Sequence, residues 1–204
     1  SIANLSALYQ VEPTELIADL HPEYLSTQYA RERGLPLQFV QHHWAHVCAC
    51  MAENQLDGSL LGVAWDGTGF GTDGTIWGGE FLIPCGRTFV RAASFRPFPL
   101  PGGEKAVREP RRSAAGMLAE LHGGILSHAP GDILEGMFSE EELRLLGQMI
   151  AKRINTPFTS SVGRVFDAVA ALLGIRQKCS FEGQSAMELE YAAESADTED
   201  VYPF

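Results

Sequence analysis

Residues 60–83 read LLGVAWDGTGFGTDGTIWGGEFLI. The first six, LLGVAW, form an apolar run of strand length, and TIWGGEFLI at 75–83 forms another. Between them lies DGTGFGTDG (66–74), expected as a turn-rich loop with Asp73-Gly74 as the hairpin turn. A third strand is expected over 88–95, joined near Cys85-Gly86, which makes an antiparallel meander with a bulge at Gly78-Gly79. Gly69 to Gly74 also fits G-x-G-x-x-G, but a dinucleotide site needs a helix next and here a strand follows. A kinase glycine loop does lie between strands, yet no V-A-I-K, H-R-D or D-F-G follows.

Upstream, the grammar changes. Residues 1–10 read as helix with Ile2, Leu5 and Leu8 on one face. LIADL (16–20) reads as strand, 23–33 as helix stopped by Gly34 and Pro36, LQFVQ (37–41) as strand and 42–55 as helix. This α-β-α-β-α alternation implies parallel strands with helical crossovers. Downstream, PFPLPGG (97–103) reads as a boundary. Helices are expected over 105–121, 139–154, 161–173 and 184–194, with Ser139 and Glu142 as a capping box. The opening inside a helical pattern and the acidic ESADTED (194–200) near the end lead us to expect a piece of a longer polypeptide.

Composition narrows the function. The 204 residues carry 15 Lys+Arg against 26 Asp+Glu, a net charge of −11. That field repels phosphate backbones, so nucleic acid is not an expected partner. Mean hydropathy is −0.04 and no run approaches the ~18 apolar residues of a membrane span. Cys48, Cys50, Cys85 and Cys179 lack zinc-ribbon spacing and are expected as reduced thiols in the cytoplasm, with Cys48 and Cys50 buried.

Three of the six histidines fall in QHHWAH (41–46). His42 and His46 stand at i,i+4, so both rings share a helix face and can hold one metal ion. A zincin would need Glu after the first histidine, and position 43 is His. Asp66, at the tip of an apolar strand before Gly67 and Gly69, can coordinate a cation while the glycines admit phosphate. The plain alternatives are solvated histidines and an ordinary glycine hairpin. In SSVGRVFDAVAALLG (160–174) the helix is apolar on Val165, Phe166, Val169, Leu172 and Leu173; it opens with Gly163 and carries Asp167 one turn on. Asp167 suits a ribose, or is simply an exposed helix acid. Glu182 and Gly183 stand at the mouth of the next helix. Lys105, Arg108, Arg111 and Arg112 can meet a phosphate or carbamoyl group, or solvate a helix face, which is the reading preferred here.

In this order, VQHHWAH, GVAWDGTGFGTDGTIWGGEF, SFRPFPLPGGEKAVREPRR, SSVGRVFDAVAALLG and SFEGQSAMELE resemble the HypF carbamoyltransferase family of nickel–iron hydrogenase maturation, over essentially the whole chain. The matching part is the Kae1-like domain. The resemblance implies an α/β fold of the actin/Hsp70-like (ASKHA, ribonuclease H-like) class with two lobes, incomplete at both ends: 1–56 from the first lobe and 57–204 as the second. It implies transfer of a carbamoyl group from carbamoyl adenylate, made from carbamoyl phosphate and ATP, to the C-terminal cysteine thiol of HypE. It puts a divalent metal, iron or zinc, on His42, His46 and Asp66. It puts nucleotide contacts at Gly67, Gly69, Gly163, Asp167, Glu182 and Gly183. The nucleophile is the partner's, so no cysteine here need be catalytic. An antibiotic-type O-carbamoyltransferase and a non-catalytic module that holds nucleotide and docks HypE are the alternatives; threonylcarbamoyl transfer to tRNA fits an acidic chain poorly. The family's zinc-finger, acylphosphatase-like and adenylate-forming domains, and its S-G-G-V segment, have no counterpart in these residues. The chain alone is therefore expected not to carbamoylate HypE.

Overall fold

The computed structural model describes residues 2–194, 196 and 198, so most of the acidic stretch at 194–200, and Ser1, lie outside the described residues. The chain opens with α1 (Ile2–Tyr9), β1 (Leu16–Asp19), α2 (Leu25–Glu32), β2 (Leu37–Val40) and α3 (His42–Glu53). β1 and β2 pair in parallel, Leu16 opposite Leu37 and Asp19 opposite Val40, as the alternation predicts. Both strands therefore end on one edge, where open α/β sheets carry their ligands. Asp19 and the start of α3 meet there. The apolar face expected on α1 is uncovered, with Leu8 73% exposed.

The meander follows: β3 (Gly62–Phe70), β4 (Ile76–Cys85) and β5 (Thr88–Ser94), antiparallel throughout. Much of the expected 66–74 loop is strand, and the turn narrows to residues 71–75, with Gly74 at φ 77°. The expected bulge sits on the other strand. Trp65 pairs with Gly79 and Gly69 with Trp77, so 66–68 bow out opposite Gly78 alone. That bow turns Asp66 out of the ladder. A second irregularity falls between Phe81 and Leu82 against β5.

Residues 97–103 are no boundary. β6 (Phe98–Pro99) joins the sheet through β7 (Phe158–Thr159), which runs parallel to β4 at Ile76, and Phe98 and Leu100 are buried. The helix expected over 105–121 is two, α4 (Glu104–Arg108) and α5 (Pro110–Leu121). Pro110 lacks an N–H and drives Glu109 out of the helical region, to φ −124° and ψ 78°. A 3₁₀ turn (Leu126–His128) and α6 (Gly131–Glu135) precede α7 (Glu140–Lys152), which begins with the predicted Ser139–Glu142 capping box. α8 (Val162–Leu172) and α9 (Gln184–Glu194) complete the described chain.

Trp44, Val47, Ala64, Trp77 and Leu82 glue α3 to the sheet. Leu118, Leu126, Phe138, Leu146 and Ile150 form the helical core. Ala114 against Ala168 and Ala171 lets α5 and α8 approach closely. This changes part of the reading of α8. Phe166 and, just past the helix end, Leu173 are exposed, Val165, Val169 and Leu172 are half-buried, and the fully buried side is Val162 and alanines plus Arg164 and Asp167, which neutralise each other. The four cysteines are free, but Cys50 is exposed rather than buried and Cys48 is half-buried: α3 packs through Trp44 and Val47, and Cys50 lies beside Asn54.

Candidate functional site

α3 begins where β2 stops because Gln41 caps it: the Gln41 side-chain oxygen accepts from the Trp44 N–H at 2.9 Å. The cap sets His42 and His46 on the face toward β1 and β3. His42 Nε2 lies 2.9 Å from Asp66 Oδ2 and 3.2 Å from His46 Nε2, and His42 Nδ1 lies 3.0 Å from Asp19 Oδ2. One ligand atom from each of His42, His46 and Asp66 falls within 4.8 Å of the others. A neutral His42 that gives its one proton to Asp19 leaves three lone pairs pointing at one another, and a cation at their meeting point satisfies all three. Two imidazoles and a carboxylate suit iron or zinc, and a carboxylate behind a ligating histidine is the usual support for such a site. The donor set fits a divalent metal.

His43 is fully buried on the inner side of α3, where it approaches Asp66 Oδ2 to 3.8 Å through Nε2. Burial pushes its pKa down to about 4, against a partial upward pull from Asp66. Gly69 makes room for it: a Cβ there would stand 2.4 Å from His43 Cε1 and 3.1 Å from His42 Cδ2.

On the far side of Asp66 the backbone of α8 closes in. A Cβ on Gly163 would stand 2.8 Å from Gly67 Cα, and the N-cap hydroxyl of Ser161 lies 2.6 Å from the Gly67 carbonyl oxygen. Glu182 and Arg164 flank the open side of Gly67. Gly183, at φ 81°, opens the turn into α9. A cleft of about 550 Å³ runs here between Thr68, Glu104, Arg108, Cys179, Ser180 and Glu182. It adjoins a second of about 380 Å³ walled by His21, Tyr24, Gly69 and Phe70. Both volumes suit a small ligand. Burial and the carboxylates of Asp19, Asp66 and Glu182 raise the Tyr24 hydroxyl's pKa. A third cavity, of about 510 Å³ between Ile125, Leu134 and α7, touches none of the candidate residues.

Three expectations change. Asp167 is no exposed acid: it is 3% exposed, 2.8 Å from Arg164 and hydrogen-bonded to Ser185, so it ties α8 to α9 rather than facing a cleft. Burial raises its pKa over the opposing pulls of Arg164 and Ser185. Arg111 neither solvates a face nor reaches the cleft. It donates to Met137 O at 2.8 Å and to Glu142 at 2.9 Å, under the Phe138 ring. Arg112 is taken by Glu109 at 2.6 Å, and Lys105 is exposed, 3.6 Å from the same carboxylate. Of this group Arg108 alone lines the cleft. Sequence reasoning missed Asp19, although it ends the apolar strand β1, and missed that Arg164 turns inward.

Residues 62–204 match the family model described as carbamoyltransferase, Kae1-like domain, second subdomain, and residues 1–53 match the HypF Kae1-like domain. The chain belongs to the HypF carbamoyltransferase family. Carbamoyltransferase HypF of Synechocystis sp. is 43% identical over 219 residues, covering 100% of this chain and 28% of that protein. HypF2 of Cupriavidus necator is 42% identical over 96% of this chain and 24% of its own length. A crystal structure of full-length HypF in the phosphate- and nucleotide-bound form superposes with a TM-score of 0.89 at 42% identity, over 99% of this chain and 26% of that one. The T. kodakarensis HypF structure gives 0.83 at 37% identity, over 98% and 28%. The α/β architecture is thus that of a HypF Kae1-like domain, and the chain spans about a quarter of the length of the relatives it matches. No helix among the described residues is long and apolar enough to cross a membrane.

Proposed function

We propose that this chain forms the centre at which a HypF-type protein moves a carbamoyl group from carbamoyl adenylate to the C-terminal cysteine thiol of HypE, in the cytoplasm, with carbamoyl phosphate and ATP as the source of the adenylate. The observation that carries the reading is the convergence of His42, His46 and Asp66 beside a glycine-walled cleft. His42 and Asp19 come from residues 1–56 and Asp66 from residues 57–204, so the centre spans the seam of the two proposed lobes. A divalent cation held by His42, His46 and Asp66 would supply Lewis acidity toward the adenylate's oxygens.

The chain's own residues do the rest. Asp19 holds His42 with Nε2 facing the centre. Gly163 lets α8 pack against the backbone of Gly67 beside Asp66, and the open side of Gly67, flanked by Glu182 and Arg164, is where a phosphate would approach. Arg108, exposed on the adjoining cleft, is the cation placed to meet an anionic substrate; Glu182 lines the same cleft, and we assign it, with its neighbour Gly183, to the nucleotide. The nucleotide in the similar full-length HypF structure supports ATP as the ligand. HypE brings the nucleophilic thiol in this reading.

The test is mass spectrometry of the HypE C-terminal cysteine after incubation with carbamoyl phosphate, ATP and a full-length HypF-family protein carrying this segment. One carbamoyl adduct is expected, and its loss on His42→Ala. Undiminished transfer by a folded His42→Ala protein refutes the assignment.

A further inference from the structure

We infer that His43 is a positioning residue: its Nε2–H is directed at Asp66 and holds that carboxylate toward His42 and His46. The inference rests on the proposed cation site and adds to it a residue that helical spacing alone sets aside, since position 43 lies ~100° around α3 from position 42.

The chain of donors and acceptors around the ring decides its tautomer. Gln41 Oε1 is committed to the Trp44 N–H at 2.9 Å, so the Gln41 amide must present its NH₂ to its other neighbours. One of those hydrogens goes to the Phe70 carbonyl at 3.1 Å. The other points at His43 Nδ1, 2.9 Å away. Nδ1 is therefore an acceptor, and the neutral ring carries its proton on Nε2. That nitrogen is buried and has no hydrogen-bond partner among the described residues. Buried N–H groups are rarely left so, because they have given up water for nothing. The carboxylate facing it is Asp66 Oδ2, at 3.8 Å, the same oxygen that His42 engages at 2.9 Å. A small turn of the Asp66 side chain closes the bond. The approach is built in on both sides: Gly69 has no Cβ to block the ring, and the bow of β3 at 66–68 brings Asp66 to it. A residue that merely filled the core would need neither the Gln41 clamp nor an N–H aimed at an acid.

The experiment titrates cobalt(II), read by its visible absorption, into the full chain and into His42→Ala, His43→Leu, His43→Gln and His43→Asn. Nitrogen–proton NMR of the metal-free chain reads the His43 tautomer. Removing a partner behind a ligand typically costs ~10–100-fold in metal affinity, and that is the loss expected for His43→Leu. His43→Gln, whose amide nitrogen reaches the Nε2 position, should bind near wild type, and the shorter His43→Asn should not. The NMR signature should be a proton on Nε2, and it needs no metal. A proton on Nδ1 overturns the inference, as does a folded His43→Leu that binds like wild type while His42→Ala has lost cobalt. Should His43→Leu not fold, equal affinities of the Gln and Asn variants overturn it instead. No cobalt binding by the wild type, or full binding by His42→Ala, removes the cation site itself and the inference with it.

Discussion

Acid should loosen this chain through His43. The ring is fully buried, its Nδ1 accepts a hydrogen bond from Gln41, and its pKa is pushed down to about 4. In the unfolded chain the same ring titrates near ~6.5. The folded value is the lower one, so between the two the unfolded state binds more protons. Stability is then complete above pH ~6.5 and drains away as the pH falls toward ~4. The gap of about 2.5 units, at ~1.36 kcal/mol per unit, comes to about 3 kcal/mol. A typical domain has only ~5–15 kcal/mol in total. The structural cause is visible: a proton on Nδ1 meets the Gln41 NH₂ head-on, and a buried charge has no water to replace it. Urea unfolding in the presence of a chelator, at half-unit steps from pH 7 to 4.5, measures the loss. His43→Gln serves as the reference, because it keeps an N–H and cannot titrate. Asp73, Glu109 and Glu142, whose pKa values are lowered by their partners, add acid sensitivity below the normal carboxylate range, and both proteins share it. Wild type should lose about 3 kcal/mol more than the variant across this window, less what remains untitrated at its acid end. Parallel slopes for the two proteins refute the reasoning.

Gly69→Ala drives a methyl group into the His43 and His42 rings; it should destabilise by about 1–3 kcal/mol and weaken metal binding together, read by thermal unfolding and cobalt titration. Asp167→Ala strands Arg164 in the α8–α9 contact and should cost about 3–5 kcal/mol by chemical denaturation, so any loss of ATP affinity should track unfolding rather than precede it. Arg111→Ala removes the link from α5 to residues 137–142. Its effect should appear in the melting temperature and not in the Michaelis constant for carbamoyl phosphate of a full-length protein that carries it.

Most of the fold was legible because its signals are local. The β1–β2 crossover, the meander and the capped start of α7 follow from periodicity, turn glycines and Ser139–Glu142. The His42–His46 pair was legible for the same reason, since four residues of helix place two rings on one face. What sequence reasoning misjudged depends on partners far along the chain. The bulge moved from Gly78-Gly79 to 66–68 because pairing with β4, not glycine content, decides which strand bows. α8 turned its alanines inward because α5 offers Ala114 for close packing and Arg164 neutralises Asp167. Arg111 left the expected basic face because Glu142, 31 residues on, and the Met137 carbonyl oxygen take its guanidinium. Asp19 went unnoticed because its partner His42 is 23 residues away. The break of the 105–121 helix, by contrast, is a local signal, carried by Pro110 itself.

The claim that His42, His46 and Asp66 form a cation centre is met most directly by anomalous diffraction. Crystals of the chain grown with zinc or iron, measured at that metal's absorption edge, should show a peak ~2.0–2.2 Å from His42 Nε2, His46 Nε2 and an Asp66 carboxylate oxygen, with Asp19 still bonded to His42 Nδ1. A metal-loaded crystal whose anomalous peaks all lie elsewhere, with His42 Nε2 still against Asp66, contradicts the account.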